Sequence, residues 1–183
     1  MDFIAAALSN PFNRTILERL PKLALGETWL VAGCLFQSYW NILAGQPATD
    51  QINDYDIFYF DAQDLSYEAE DKIIKSSGTL FQDLPIKIEI RNQARVPLWF
   101  KEKFGTDFPT LQRARDSIDL FLIEGSCVGL SPQGNELVLY APYGLDDIEA
   151  GLLRPNPHTP NPTRFAAKAL SYQKRWPWLR IIS

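Results

Sequence analysis

The chain predicts an α+β (or α/β) domain: a mixed β-sheet carrying acidic side chains at one edge, covered by helices and closed by a helical C-terminal segment. Three observations predict it. Short strand-like runs are interspersed with stretches of helical apolar spacing. The apolar run Thr28 to Ala32 passes through Gly33 straight into the helix-like Cys34 to Leu43. In Ile86 to Ile90 the isoleucines face one way and Lys87, Glu89 and Arg91 the other, so that strand has a core face and a charged face. A chain of 183 residues, 46% hydrophobic and 22% charged, has the composition of one globular domain. Its core is expected over about 22–140, with an extension over 141–183.

In chain order, residues 2–9 and 11–20 read as short helices. The second is entered through Asn10-Pro11, proline suiting a first-turn position, and has Phe12, Ile16, Leu17 and Leu20 at helical spacing. Thr28 to Ala32 suits a buried strand. The polar loop Gln46 to Asn53 delivers the chain to Asp54, and Tyr55 to Phe60 has the aromatic and β-branched content of a strand. Tyr67 to Lys75 is a charged helix with Gly78 as its expected stop. After the strand Ile86 to Ile90, helices are expected within Arg95 to Phe104 and over Thr110 to Leu122. Cys127 to Leu130 and Glu136 to Tyr140 flank Ser131 to Asn135 as a β-hairpin. A short helix near Leu145 to Ala150, a proline-stiffened segment Asn156 to Pro162 and a last helix Thr163 to Lys174 complete the chain.

A net charge of −4 offers no general attraction to nucleic acid, so a polyanion needs a local basic patch. Arg164, Lys168, Lys174, Arg175 and Arg180, interleaved with Tyr172, Trp176 and Trp178, read as a solvated helix followed by an aromatic-anchored tail. Cys34 and Cys127 are too few and too distant for a disulfide framework or zinc site, and read as buried thiols in a reducing compartment. The apolar start, Met1 to Leu8, lacks a basic flank and is too short to span a bilayer, so the expectation is a cytoplasmic protein with no membrane partner.

The chemistry concentrates in carboxylates, because the chain holds a single histidine, His158, set between prolines as surface decoration. Asp54 and Asp56 emerge on the same side of an extended strand. Like charges that close are relieved by a proton, a cationic neighbour or a bound metal. Glu89 is the isolated acid of a second strand. Each has an ordinary alternative: the aspartates as turn residues accepting backbone hydrogen bonds, Glu89 as a surface partner of Lys87 or Arg91.

Ala32-Gly33-Cys34 at a strand-to-helix turn, Asp54-Tyr55-Asp56-Ile57 and the single acid Glu89 resemble the nucleotidyltransferase fold of DNA polymerase beta-like enzymes. More narrowly, the run Glu89 to Val96 with Leu98-Trp99-Phe100, the segment Ala141 to Asp147, Arg154-Pro155-Asn156-Pro157 and Trp176-Pro177 are similar to a family of small stand-alone bacterial nucleotidyltransferase-like proteins, over about Trp29 to Trp178. The resemblance implies Mg²⁺ (or Mn²⁺) held by Asp54, Asp56 and Glu89, with Glu89 helping to activate an acceptor hydroxyl. It also implies an NTP whose phosphates meet Gly33, Cys34 and the amides after them. Lys87 and Arg91 are placed to neutralise phosphate charge. Hard carboxylate oxygens suit Mg²⁺, which keeps waters and substrate phosphates in its octahedron.

Cys34 stands where the fold usually has glycine or serine. A thiol donates poorly, which leaves two readings open: phosphate contact through backbone amides, or a small buried residue. The function expected is transfer of a nucleoside monophosphate from an NTP to a hydroxyl acceptor that the sequence does not identify; the net charge disfavours a nucleic acid without excluding one. The alternative is a non-catalytic nucleotide- or partner-binding protein on the same fold. A metal-dependent phosphodiesterase would need more histidines than this chain has.

Overall fold

A computed structural model describes residues 1–182. Asp2 accepts the Ala5 N–H to cap α1 (Phe3–Ser9), and Asn10 accepts the Phe12 N–H to cap α2 (Pro11–Arg19). Asn10 is fully buried and also donates to Ser38 Oγ (3.0 Å) and Tyr55 Oη (3.1 Å), pinning this N-terminal hairpin to the rest of the domain. Then come β1 (Thr28–Val31), α3 (Gly33–Leu43), β2 (Tyr55–Tyr59), α4 (Tyr67–Leu80), β3 (Ile88–Asn92) and α5 (Val96–Phe104). The chain ends through β4 (Gly129–Gln133), β5 (Glu136–Tyr140), α6 (Asp146–Ala150), β6 (Leu152–Leu153), α7 (Phe165–Arg175) and β7 (Arg180–Ile181).

The main sheet has five strands in the order β3-β2-β1-β4-β5. Strands β2 and β3 are parallel, with α4 as their crossover, and the other neighbours are antiparallel. It is the mixed sheet expected. Period-two alternation divides its side chains. Leu30, Tyr55, Ile57, Tyr59 and Ile90 enter the larger core with α1, α2, α3 and α7. Trp29 and Val31 face the other way, into a smaller cluster with Ala114, Ile118 and Cys127. The register pairs Val31 with Asp56 and Asp56 with Glu89, so both acids lie on the face with the smaller core.

Three expectations are corrected. Helix α4 continues through Gly78 to Leu80; a glycine inside a helix costs only about 1 kcal/mol relative to alanine, and the buried Ser77 with the core-packed Ile73, Ile74 and Leu80 outweighs it. The segment Thr110 to Leu122 holds a 3-10 helix, Ala114–Leu120, instead of an α-helix. The hairpin strand β4 begins at Gly129 and takes in Ser131-Pro132-Gln133, leaving a two-residue turn between Gln133 and Glu136 in which Gly134 has φ +61°. Among the described residues no helix is long and apolar enough to cross a membrane.

Candidate functional site

The face of the sheet with the smaller core opens into a cleft of about 1120 Å³. Asp54, Asp56, Glu89, Gly33, Gln37, Arg91, Lys168 and Tyr172 all line it. Three elements bring the acids there. Asp54 precedes β2 and Asp56 lies within it, two residues on; Glu89 is the register partner of Asp56 on β3. Beside them β1 turns into α3 through Ala32, whose φ of 54° and ψ of −118° is a conformation a non-glycine residue rarely adopts. Helix α3 therefore begins at the cleft, which Ala32 and Gly33 line. At Gly33 a Cβ would meet Gln37 Nε2 at 2.7 Å, so the side chain that glycine lacks would crowd this corner.

Burial pushes the Asp56 carboxyl up to about 7, with the charges of Asp54 and Glu89 adding to the shift and Lys168 and Lys87 opposing it. Glu89 moves the other way: a hydrogen bond from Lys87 holds its carboxyl below the usual range, against burial, with Lys87, Arg91 and Lys103 charges contributing. Lys87 pairs with Glu89, and Arg91 Nη2 lies 3.6 Å from the second Glu89 oxygen. The cations expected to meet phosphate are therefore engaged by the third acid. Among the described residues no three His, Cys, Asp or Glu side chains stand close enough to form a ready-made metal cluster. The aspartate pair, mutually repelling and half out of water, fits a hard divalent cation that completes its shell from water and phosphate. Glu89 fits as a further ligand only on release from Lys87.

Cys34 is corrected as a cleft ligand. Its side chain is fully buried in the larger core, its thiol is directed at Val31 O (3.6 Å), and burial raises its pKa well above the usual thiol range. Only its backbone remains near the helix start.

The sequence reading missed the far wall. Helix α7 is exposed over most of its surface and followed by the buried anchor Trp176, as expected, but it docks one face through Ala169 and Tyr172, and Arg164, Lys168 and Tyr172, spaced four apart, all line the cleft. Lys168 keeps its surface open to solvent, yet protein hems in its ammonium. This desolvation lowers its pKa, while Asp54 and Asp56 pull it back up. Arg175 fixes the helix by donating to Gln37 Oε1 (3.0 Å) and to the Gln51 carbonyl (2.9 Å). The i, i+4, i+8 spacing of Arg164, Lys168 and Tyr172 was the available signal, but nothing local says which face of α7 docks.

At the end of β3, Glu70 accepts the Asn92 N–H (2.9 Å) and pairs with Arg95, both side chains nearly buried. Asn92 caps the following turn through the Ala94 N–H, and Gln93 Oε1 accepts from Ser117 Oγ (2.6 Å). These bonds fix the strand that carries Glu89.

The sequence matches the family model described as "Nucleotidyltransferase" over residues 18–181. An NMR structure described as revealing a CCA-adding enzyme head domain is similar at 26% identity, covering 99% of this chain and 94% of that one, with a TM-score of 0.77. The Thermotoga maritima CCA-adding enzyme complexed with tRNA is similar in fold at 15% identity and a TM-score of 0.55, covering 100% of this chain and 43% of that one. No curated protein matches the chain.

Proposed function

Because this chain belongs to the nucleotidyltransferase family, we propose that it transfers a nucleoside monophosphate from an NTP to an acceptor hydroxyl in the cleft lined by Asp54, Asp56 and Glu89. The observation that carries the reading is the placement of these acids along one sheet face and one cleft, beside a helix that opens with glycine. Asp54 and Asp56 would hold Mg²⁺ or Mn²⁺, which when bound supplies charge stabilisation for the α-phosphate and its leaving pyrophosphate. The amides at Gly33 and Cys34 donate to phosphate oxygens at the start of α3. Lys168, facing the aspartates from α7, neutralises charge on the departing pyrophosphate, a role expected from the sequence for Lys87 and Arg91. Once the acceptor displaces its contact with Lys87, Glu89 accepts a hydrogen bond from the attacking hydroxyl and takes its proton.

The pairing of Glu89 with Lys87 and the burial of Cys34 favour a second reading, a nucleotide-binding protein that does not turn over. Calorimetric titration of NTP with and without Mn²⁺, alongside pyrophosphate release, separates the two. Transfer requires metal-dependent binding that disappears in Asp56→Asn, together with turnover. Metal-independent binding retained by Asp56→Asn would establish the scaffold instead.

A further inference from the structure

Helix α5 carries an aromatic group that belongs to neither core of the sheet. Trp99, Phe100, Phe104 and the following Phe108 pack on one another, with ring centroids 4.6 Å apart for Phe100–Phe104 and for Phe100–Phe108. Trp99 reaches Phe104 at 6.4 Å. All four line the cleft that holds the acids, and Trp99, Phe104 and Phe108 are only half-buried. Two cations lie over their rings. Lys103 Nζ is 5.4 Å from the centroid of Trp99 and 5.3 Å from that of Phe104, and the Arg164 guanidinium is 5.2 Å from Phe104. Among the described residues neither Lys103 nor Arg164 has a carboxylate within ion-pair distance.

The cleft therefore has two chemically different ends. Lys168 lies over the Tyr172 ring, which packs on Phe36 of α3, the helix whose start is assigned to the NTP phosphates. Helix α5 follows directly on β3, the strand that carries Glu89, and its rings line the same cleft, so it borders the end assigned to the acceptor. An acceptor seated there meets flat ring faces flanked by uncompensated positive charge. A polycationic acceptor would be repelled by Lys103 and Arg164. A hydrocarbon chain laid on the rings would leave Lys103 and Arg164 desolvated beside it with no anion to compensate them. A planar π-system bearing a phosphate satisfies both features, because a base stacks on aromatic and guanidinium faces while its phosphate takes the charges.

We propose that the Trp99–Phe104 wall, with Lys103 and Arg164, is a subsite for a nucleotide unit of the acceptor, base stacked on the rings and ribose hydroxyl directed toward Glu89. The proposal rests on the transfer reading for the direction of the hydroxyl, and on the wall itself for the nucleotide. A free nucleotide and the 3′ end of a single strand share this chemistry.

Fluorescence titration of the full chain with a trinucleotide carrying 2-aminopurine at its 3′ end, with AMP as competitor, tests it. Substituting Trp99→Ala together with Phe104→Ala weakens binding by about tenfold or more, the usual effect of losing stacking partners. Lys103→Gln with Arg164→Gln, at exposed positions that do not threaten folding, weakens it several-fold and flattens its salt dependence. Binding of Mn²⁺–NTP persists in both. Displacement of the probe by AMP at matching concentration assigns the subsite to free nucleotides; failure of AMP to displace it assigns the subsite to strand ends. If the wild-type chain binds neither probe, or if all variants bind them equally, the subsite is wrong. When Asp56-dependent Mn²⁺–NTP binding survives that result, the transfer reading stands without it. Trp99-dependent probe binding in a protein that takes up no metal nucleotide would instead keep the wall and discard the transfer.

Discussion

Between α3 and α7, Phe36, Trp40, Tyr172 and Trp176 pack at ring separations of 4.8 Å (Phe36–Trp40) to 6.2 Å (Tyr172–Trp176), and all four are buried. Around α5, Trp99, Phe104 and the following Phe108 pack on Phe100 at 6.1, 4.6 and 4.6 Å but stay half-open to the cleft. The indole N–H groups of the first cluster are satisfied inside the protein, Trp40 Nε1 by the Ile148 carbonyl and Trp176 Nε1 by Asn41 Oδ1, each at 3.0 Å. The faces left over in the second are covered by Lys103 and Arg164. The same residue types thus serve two ends. Both clusters carry cations, Lys168 and Arg175 lying over Tyr172 and Arg175 over Trp176 in the first, so burial makes the difference: the closed rings hold the C-terminal segment to the domain, and the half-exposed ones remain open to a ligand.

The contrast can be broken from either side. The largest expected effect is in the closed cluster: Trp40→Ala removes a buried indole and should cost about 3–5 kcal/mol in a urea unfolding experiment. A loss under about 1 kcal/mol would mean that α7 is not held by these rings. Next comes the Glu70–Arg95 pair at the root of α5. Arg95→Ala leaves Glu70 buried with only the Asn92 N–H and should cost about 3 kcal/mol; an unchanged midpoint would show that Glu70 escapes to water.

Asp56→Asn acts with the opposite sign. The folded Asp56 binds its proton up to about pH 7 whereas the unfolded residue releases it near the ordinary carboxylate value, so the metal-free protein loses stability as pH rises between those values. The amide should abolish that slope and raise stability at about pH 8, on the order of 1–2 kcal/mol once the open side of the cleft is allowed for. Mn²⁺ should flatten the wild-type slope in the same way. A melting temperature for Asp56→Asn below that of the wild type at about pH 8 would make Asp56 a structural residue. The smallest effect is Trp99→Ala, about 1 kcal/mol in the same unfolding assay, since its ring is half solvated already. A cost matching Trp40→Ala would place α5 with the core and remove the distinction.

The acids and the core face of β3 were legible because both depend on a period of two along a strand: Asp54 and Asp56 share a side, and Glu89 opposes Ile88 and Ile90. The helix starts at Asn10 and after Gly33 were legible from local backbone chemistry. The α4 terminus was not, since the packing of Ile74 and Leu80 overrides a glycine. Nor was the fate of Cys34, whose exposure depends on how α3 rolls against the sheet. The pairing of Lys87 and Arg91 with Glu89 was recognised only as the ordinary alternative, because a sequence cannot choose between a neighbour and a ligand for the same charge.

The sequence alone determined most of the strands and helices and which side chains share a strand face, because those are matters of backbone period and local hydrogen bonding within a few residues. Tertiary structure decided the rest: that β3 lies parallel beside β2, bringing Glu89 level with Asp56, and that α7 brings Arg164 and Lys168 to the rim of the cleft that holds Asp54 and Asp56, more than a hundred positions earlier in the chain. The first follows from burial of Ile57 and Ile90 in the larger core and the second from burial of Trp40, Tyr172 and Trp176 against one another, energies that exist only when distant segments meet.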